Sequence, residues 1–589
     1  MQRPDRRPRV ALLAATLIAV VSGTTGATEH AATPTALSQR AAALADAISI
    51  DWSHSLNPAG SIVDPLTKRI EGGYGRTFLA YGMLRATERD PALGLIPIVV
   101  RALLTSDGVA QAPFNLLGLA ETLMRAAGNF APAPTDIIEK AILSDPPFGS
   151  HAPTAACYQR VGCYDNLKLV NATAILATLA ALPGRHGPAR TTFATPATAA
   201  RGALSLLSIT IPRVEIADGR LEVGGTRLTG AVLSDPTRDA TAYLALSAMM
   251  LGRALELAVR PPPSALRAFQ RAIVALLGLT APDGDISYMG RGQGQVWTIA
   301  SAAAACALAM RLLPAQRAIT SRCEGLIDTE LAALTIRRSL GGVGIATVPR
   351  LTWTRGVDGY VNRTDYNGLC VYALNLTADA LNGLPDPGER VLPAGTSGEQ
   401  FIDAGGPGLA TTSHGDIWFA VHREDSDPLD SRWGFGLMAI QKLIADTWTS
   451  TMTGRPLGPG QQGPSLILRG HDYEPIGQTM RVMPGRVVIH GGWIDGDGKH
   501  LIRPATFIYE ATAQGVTLSV PVQPGDRLVV REWVGLRQPG TVTVLTPGVH
   551  QVTSRRAVAM GNASSNSLEE ISHAVSTSGT GLIRVLWQG

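Results

Sequence analysis

The sequence predicts an N-terminal α/α toroid, an incomplete barrel of helical hairpins, followed by a C-terminal antiparallel β-sandwich. Three observations predict it. Apolar residues recur at helical spacing from Thr35 to about Leu381, the composition turns to Gly, Pro and Asp from Leu384 to Gly408, and beyond that the apolar period becomes two. At 589 residues the chain exceeds what one hydrophobic core normally organises, so two domains are expected. With 45% apolar and 17% charged residues, the composition is that of a globular protein and not of a disordered one.

The first 27 residues read as an export signal, with Arg3, Arg6, Arg7 and Arg9, the apolar run Val10 to Val21, and Thr25-Gly26-Ala27 as a small-residue cleavage site. The Arg6-Arg7 pair leaves the general and twin-arginine routes both open. Later apolar stretches, Leu169 to Leu182 and Ala300 to Leu313, fall short of the roughly 18 residues a spanning helix needs, so no membrane anchor is expected once the signal is removed. Export would place the five cysteines in an oxidising compartment. Cys157 and Cys163 flank a short loop and are expected to pair; Cys306 and Cys323 could join neighbouring helices and leave Cys370 free, with other pairings open. A net charge of +4, partly in the leader, gives no basis for a nucleic-acid partner.

The helical half, residues 28–395, resolves into about a dozen segments: Leu37 to Ile50, Tyr74 to Ala86, Leu95 to Thr105, Asn115 to Ala127, Thr135 to Leu143, Asn166 to Leu182, Pro196 to Ser208, Arg238 to Ala258, Pro263 to Leu277, Gln295 to Leu313, Ile319 to Leu334 and Tyr366 to Leu381. No short period recurs, which argues against a regular solenoid and for a ring whose loops gather at one end to line a cleft. In residues 396–589 the strands are Ile417 to Val421, Ser465 to Leu468, Arg486 to Ile489, Thr506 to Tyr509, Val516 to Val520, Arg527 to Val530, Thr541 to Leu545 and Leu582 to Leu586, with one helix expected from Gly434 to Trp448.

Two segments carry the densest polar groups. The run from Asp283 to Trp297 places Tyr288, Arg291, Gln293 and Gln295 on a backbone freed by alternating glycines, between two helices, where it can approach a ligand closely. Its glycine spacing fits neither a dinucleotide nor a P-loop fingerprint. Asn362, Asp365, Tyr366 and Asn367 open the last helix, with Asp365 also suited to N-capping. Tyr74 and Arg76, Asn166, Arg238, and Trp52 with His54 lie at other helix ends; aromatic faces suit sugar rings and guanidinium suits carboxylate or sulfate, although each also fits capping or packing. In the β half, His414 lies just before the first strand, and His422 and His471 are ordinary strand or loop histidines. Asp495-Gly496-Asp497-Gly498 reads as a hairpin turn and not a calcium loop. The absence of G-x-S-x-G, S-x-x-K, H-E-x-x-H and paired C-x-x-C motifs lowers serine-hydrolase and zinc readings, and no cofactor or metal is implied.

An exported helical toroid followed by antiparallel sheets, with Asp283-Gly284-Asp285 leading into Tyr288 and Gly290, resembles the polysaccharide lyases of the hyaluronate, chondroitin AC and xanthan type, and more loosely the heparinase II/III type. That resemblance implies β-elimination on a uronic-acid polysaccharide, an anionic partner. The reaction needs a neutralised carboxylate, a base at C5 and an acid for the leaving oxygen. It assigns proton transfer to Tyr288 or Tyr366, carboxylate contacts to Asn362, Asn367 and Gln293, charge stabilisation to Arg291, and a possible base to His414. Gln295, Tyr74, Arg76, Asn166 and Arg238 would line the substrate. The toroid's His30, His54, His151 and His186 lack the family's histidine context. Two rivals follow: a glycoside hydrolase using carboxylates among Asp283, Asp285 and Asp365, and a secreted carbohydrate-binding or cell-envelope protein without catalysis.

Overall fold

The computed structural model describes residues 33–64, 68, 70, 73–104, 112–126, 135–136, 138–139, 142, 166–182, 203–205, 207–208, 210–211, 215–223, 226–233, 241–290, 292, 294–341, 343–347, 363–385, 400–403, 408–423, 434–450, 463–495, 500–535, 540–558, 568–579 and 581–588. Its principal helices are α1 (Pro34–Ser53), α2 (Gly75–Arg89), α3 (Ile96–Leu104), α4 (Ala112–Ala126), α5 (Asn166–Ala181), α6 (Thr241–Leu257), α7 (Pro263–Leu279), α8 (Val296–Leu312), α9 (Arg317–Gly341) and α10 (Arg363–Leu381). Helices α2, α4, α5, α6, α8 and α10 pack each against the next, and α10 returns to α2, so six helices close an inner ring. Helices α1, α3, α7 and α9 lie outside it.

Side-chain size and pattern explain who goes inside. α8 is a run of small residues, Ala300, Ala302 to Ala305, Ala307 and Ala309, buried all round from Val296 to Met310. A helix with no polar stripe can only be covered on every side. α7, by contrast, buries one face, with Ala265, Phe269, Ala272 and Leu276 inward. Where α1, α2 and α10 cross, a Cβ on Gly82 would come within 2.2 Å of Val371 and 2.4 Å of Ser49, so only glycine permits the approach. The C-terminal ends of the inner helices are joined by ion pairs: Arg85 and Arg125 both reach Asp379, at 2.5 and 2.6 Å, and Arg253 holds Glu121 through two bonds of 2.8 Å. Arginines there also complement the negative ends of the helix dipoles.

The strands are β1 (Glu215–Val223), β2 (Thr226–Leu233), β3 (Gln400–Asp403), β4 (Leu409–His414), β5 (Ile417–His422), β6 (Gly436–Ile444), β7 (Thr447–Ser450), β8 (Ser465–Leu468), β9 (His471–Met483), β10 (Arg486–Ile494), β11 (Leu501–Thr512), β12 (Gly515–Val522), β13 (Arg527–Gly535), β14 (Val542–Val544), β15 (His550–Val558), β16 (Leu568–Ser576) and β17 (Gly581–Gln588). They form a seven-stranded sheet, β2-β1-β3-β4-β5-β6-β7, and a ten-stranded sheet, β14-β17-β12-β11-β10-β9-β8-β13-β16-β15, with antiparallel pairing throughout. The hairpin β1–β2 falls within the helical half, yet β1 pairs with β3, so the first sheet reaches across the boundary expected near residue 395.

The helix expected from Gly434 to Trp448 is instead the hairpin β6–β7. Its continuous buried run, Leu437 to Ile440, mimics a helix core because this strand is covered on both faces. Ala445 and Asp446, at φ 46° and 63°, form the two-residue left-handed turn that only a hairpin requires. The same two-sided burial governs β5. Trp418 and Ala420 join the helical core, whereas Ile417, Phe419 and Val421 join a second core with Val487, Ile489, Phe507, Leu518, Leu528 and Val575 of the ten-stranded sheet. The molecule is thus three layers deep here: helices, first sheet, second sheet.

Cys306, Cys323 and Cys370 are buried free thiols, and the expected Cys157–Cys163 pair lies outside the described residues. Among the described residues no helix is long and apolar enough to cross a membrane.

The join between halves centres on Phe401. Its ring, fully buried, lies between Gly219 of β1 and Gly278 of α7, where added Cβ atoms would come within 2.2 and 2.4 Å of it. Phe401→Ala is expected to destabilise the protein by about 3–5 kcal/mol through the cavity it leaves. Denaturant unfolding followed by far-ultraviolet circular dichroism checks this; an unchanged midpoint would remove Phe401 from the join.

Candidate functional site

Outer helices α3, α7 and α9 return the chain between α2 and α4, between α6 and α8 and between α8 and α10, so the N-termini of these inner helices meet at one end of the ring. The contacts show it directly. Tyr74, at the cap of α2, stacks on Phe114 of α4 with ring centroids 4.4 Å apart. Tyr243 of α6 packs edge-on to Trp297 of α8 at 5.4 Å, and Trp297 meets Tyr366 of α10 at 6.1 Å. Asp365, in the first turn of α10, accepts from the backbone N–H of Gly75, which opens α2, at 2.6 Å. Its carboxylate therefore caps a neighbouring helix. A Cβ on Gly73 would fall 2.5 Å from that carboxylate, which accounts for glycine at φ 120°.

Polar groups gather at the same end. Arg76 and Lys168 are buried in the first turns of α2 and α5. Arg363 and Asp64 form an ion pair at 3.3 Å with both side chains almost wholly buried. Asn166, the first residue of α5, is 2% exposed, and its Oδ1 has no hydrogen-bond partner among the described residues. Converging helix N-termini favour anions, and the ring of Tyr366 stands half-buried beside them.

The glycine-rich segment is held in place by its own polar groups. Asp285 N–H donates to Asp283 Oδ1 at 3.0 Å, and the N–H and hydroxyl of Ser287 both donate to Asp285 Oδ1 at 2.7 Å. Ser287 Oγ in turn accepts from Gly294 N–H at 2.8 Å, and Arg337 of α9 donates to the Gly294 carbonyl at 2.7 Å. Asp283 N–H donates to Gln441 Oε1 of β6 at 3.1 Å, tying the loop to the first sheet. Burial, then the charge of Asp285, pushes the Asp283 carboxyl up to about 6.

The residues singled out from the sequence fall in several places. Tyr288 is buried, its hydroxyl donates to the Leu279 carbonyl at 2.7 Å, and its ring meets Trp418 of β5 at 5.7 Å. Burial, with the charge of Asp285 adding to it, raises its hydroxyl well above the ordinary tyrosine range. Gln295 caps α8 and is fully buried. Asn367 is fully buried too: its Oδ1 accepts from Ile345 N–H at 2.8 Å, and its Nδ2 donates to the carbonyls of Arg363 and Ile345 at 3.0 and 3.3 Å. The two bonds to Ile345 pin residues 343–347 to α10, and the third, to Arg363, lies within the helix. His414 ends β4, exposed, against Gly485 in the turn between β9 and β10. His422 is buried with Nδ1 3.2 Å from the Gly434 carbonyl. Tyr74, Arg76, Asn166 and Tyr366 stand together at the ring's end; Arg291, Gln293, Asn362 and Arg238 lie outside the described residues.

Sequence reasoning did not single out Tyr243, Phe114 or the Arg363–Asp64 pair. Tyr243 and Phe114 sit in the first turn of otherwise apolar helices, and that position was the available signal.

A closed inner ring of helices, backed by outer ones and followed by stacked antiparallel sheets, is the architecture of the toroid polysaccharide lyases. The chain is similar to the chondroitin AC lyase of Streptomyces coelicolor A3, solved with chondroitin sulphate, at 12% identity over 96% of this chain and 81% of that one, with a TM-score of 0.53. It also aligns with the heparan sulfate lyase of Pedobacter heparinus (11% identity, 94% and 88% covered, TM-score 0.40). A further alignment is with an unsaturated glucuronyl hydrolase of Streptococcus agalactiae (12% identity, 61% and 94% covered, TM-score 0.40). At such identities the likeness is one of fold. No protein-family model matches the sequence, and no curated protein matches it.

Asn367→Ala removes three bonds to buried backbone groups and is expected to cost about 1–3 kcal/mol for each group left unsatisfied. Hydrogen exchange should show residues 343–347 losing protection ahead of the β-sandwich. Equal protection in both proteins would count against the clamp.

Proposed function

We propose that this chain is an exported polysaccharide lyase that cleaves a uronic-acid-containing polymer by β-elimination. The observation that carries the reading is the end of the ring, where the aromatic wall Tyr243–Trp297–Tyr366 stands on the same rim as Asn166 and the buried cations of α2 and α5. Such a rim suits a sugar ring bearing a carboxylate. The fold shared with a chondroitin AC lyase supports the same reading.

In this mechanism Asn166 presents its amide to the uronate carboxylate, which withdraws charge as the C5 proton leaves. Tyr366 is the proton-transfer group, because its ring is half-exposed at the rim whereas the hydroxyl of Tyr288 is spent on Leu279. The Tyr366 oxygen accepts the C5 proton, the C5–H electron pair forms the C4–C5 double bond as the C4–O bond breaks, and Tyr366 then passes that proton to the leaving oxygen. Gln293 and Asn362 retain the carboxylate contacts, Arg291 the charge stabilisation and Arg238 the substrate lining that the resemblance implies. Asp283 and Asp285 are committed to the loop and Asp365 to the cap of α2, so the paired carboxylates of a hydrolase receive no support from these contacts.

Incubation with hyaluronan, chondroitin, heparan sulfate, alginate and xanthan, followed in the ultraviolet, should show the absorbance of a conjugated 4,5-unsaturated uronate with at least one of them. Tyr366→Phe is expected to lower kcat by about 10²–10⁴-fold, the usual reach of general acid–base catalysis. New reducing ends without new absorbance would instead establish hydrolysis, and binding without turnover would establish a lectin-like role.

A further inference from the structure

The tryptophan of the aromatic wall is held by its ring and not by its nitrogen. Trp297, the second residue of α8, is 2% exposed, with Tyr243 edge-on to it and Tyr366 tilted against it. Its Nε1 is buried without a hydrogen-bond partner. A buried indole N–H normally finds an acceptor, because leaving it unmatched costs free energy. Thr241, the first residue of α6, is 1% exposed, and its Oγ1 has no partner either. Threonines deeper in the ring return their hydroxyls to the carbonyl four residues back, as Thr173 and Thr377 do at 2.7 and 2.9 Å. A threonine that opens its helix has no such carbonyl within it. Both unmatched groups border Gly292. An added Cβ there would lie 3.2 Å from the Cβ of Ala242, the neighbour of Thr241, and 3.4 Å from Cζ2 of Trp297, on the edge of the indole that carries Nε1. Gly292 holds φ 89°, so a turn of bare backbone stands beside the start of α6 and the N–H edge of Trp297.

We propose that Trp297 Nε1 and Thr241 Oγ1 form a subsite for a free hydroxyl of the polysaccharide, and that this subsite selects polymers left unsulfated at that position. The inference rests on the reading of the rim as a polysaccharide site and not on β-elimination. Both residues bind substrate and take no part in proton transfer. A hydroxyl satisfies the two groups at once: its oxygen accepts from the indole N–H while its proton goes to Thr241 Oγ1. A sulfate ester can accept but has no proton to give, and it would bring a charge to a place where both polar groups on offer are neutral and buried. The converging helix N-termini pull the other way, since they favour the more anionic polymer. Discrimination against sulfate therefore comes from this subsite and disappears when the subsite is removed.

Equilibrium binding is measured on the full chain carrying Tyr366→Phe, which keeps the polymer intact. The probes are oligosaccharides of hyaluronan, unsulfated chondroitin and alginate, and the same oligosaccharides after chemical O-sulfation. At least one unsulfated probe should bind more tightly than its sulfated form. Trp297→Phe, which keeps a ring in the wall, and Thr241→Val, which keeps the side-chain shape, should each weaken that binding by about 3–10-fold, the worth of one neutral hydrogen bond. Affinity for the sulfated form should not change. With isotope-labelled tryptophan, the indole N–H resonance that Trp297→Phe removes should shift when the unsulfated probe is added. Should Trp297→Phe fail to fold, Thr241→Val and the resonance decide the matter. Tighter binding of every sulfated form, equal weakening of both forms by the substitutions, or a Trp297 resonance that stays in place as the probe binds overturns the subsite, and so does binding of none of the probes. Absence of unsaturated uronate from the unsubstituted protein would sink the lyase reading and leave these binding results to decide the subsite.

Discussion

The middle of the seven-stranded sheet, β4 to β6, is buried on both faces, and the rest of the structure depends on that. Trp418 and Ala420 face helices while Ile417, Phe419 and Val421 face a second sheet, so no residue of β5 can be polar without a partner. The one polar residue there, His422, is fully buried against the Gly434 carbonyl, as that constraint demands. Bonds crossing the layers fix the register: Thr411 Oγ1 donates to the Gly278 carbonyl at 2.6 Å, and Thr412 Oγ1 donates to the Met483 carbonyl at 2.9 Å. One strand thus reads position from α7 on one side and from the turn between β9 and β10 on the other. A slip by one residue would exchange both sets of contacts at once.

That sheet also gives the ring its two unlike ends. At the C-terminal ends of the inner helices, charge is balanced in place: Asp379 serves Arg85 and Arg125, and Glu121 serves Arg253 and the Tyr372 hydroxyl. Burial and the charges of Asp379 and Glu121 push the Tyr81 hydroxyl up beyond its ordinary range. At the N-terminal ends the positive ends of the dipoles meet, aromatic rings stand beside the buried Arg363–Asp64 pair, and Asn166 Oδ1 is left unbonded among the described residues.

The layered plan was legible because its signals are periodic: helical spacing to Leu381, then alternation. Where both faces of an element are buried, the period disappears. Leu437 to Ile440 reads as a helix for that reason, and α8 reads correctly only because its alanine run is too long for a strand. The β1–β2 hairpin escaped because Gly219 and Gly230 interrupt its pattern; both are there to let Phe401 and the backbone of α7 approach, a tertiary demand with no local signature. In the two polar segments, residue type alone did not show how the polar atoms are used. Tyr288 and Asn367 look like catalytic donors in sequence, and only the bonds to Leu279, Ile345 and Arg363 show how their polar atoms are spent.

The same reasoning separates two kinds of polar residue at the rim. A buried side chain whose every donor and acceptor meets backbone, as Asn367 does, stabilises a loop and gains nothing by facing a ligand. One buried with an acceptor unmatched, as Asn166 is, carries a standing cost that a bound group can relieve. Asn166 begins α5, where the helix N-terminus adds its own attraction for anions, so the unmatched group and the field coincide at one position. The unmatched Oδ1 calls for a donor, and an amide that turned would present Nδ2–H at the same place.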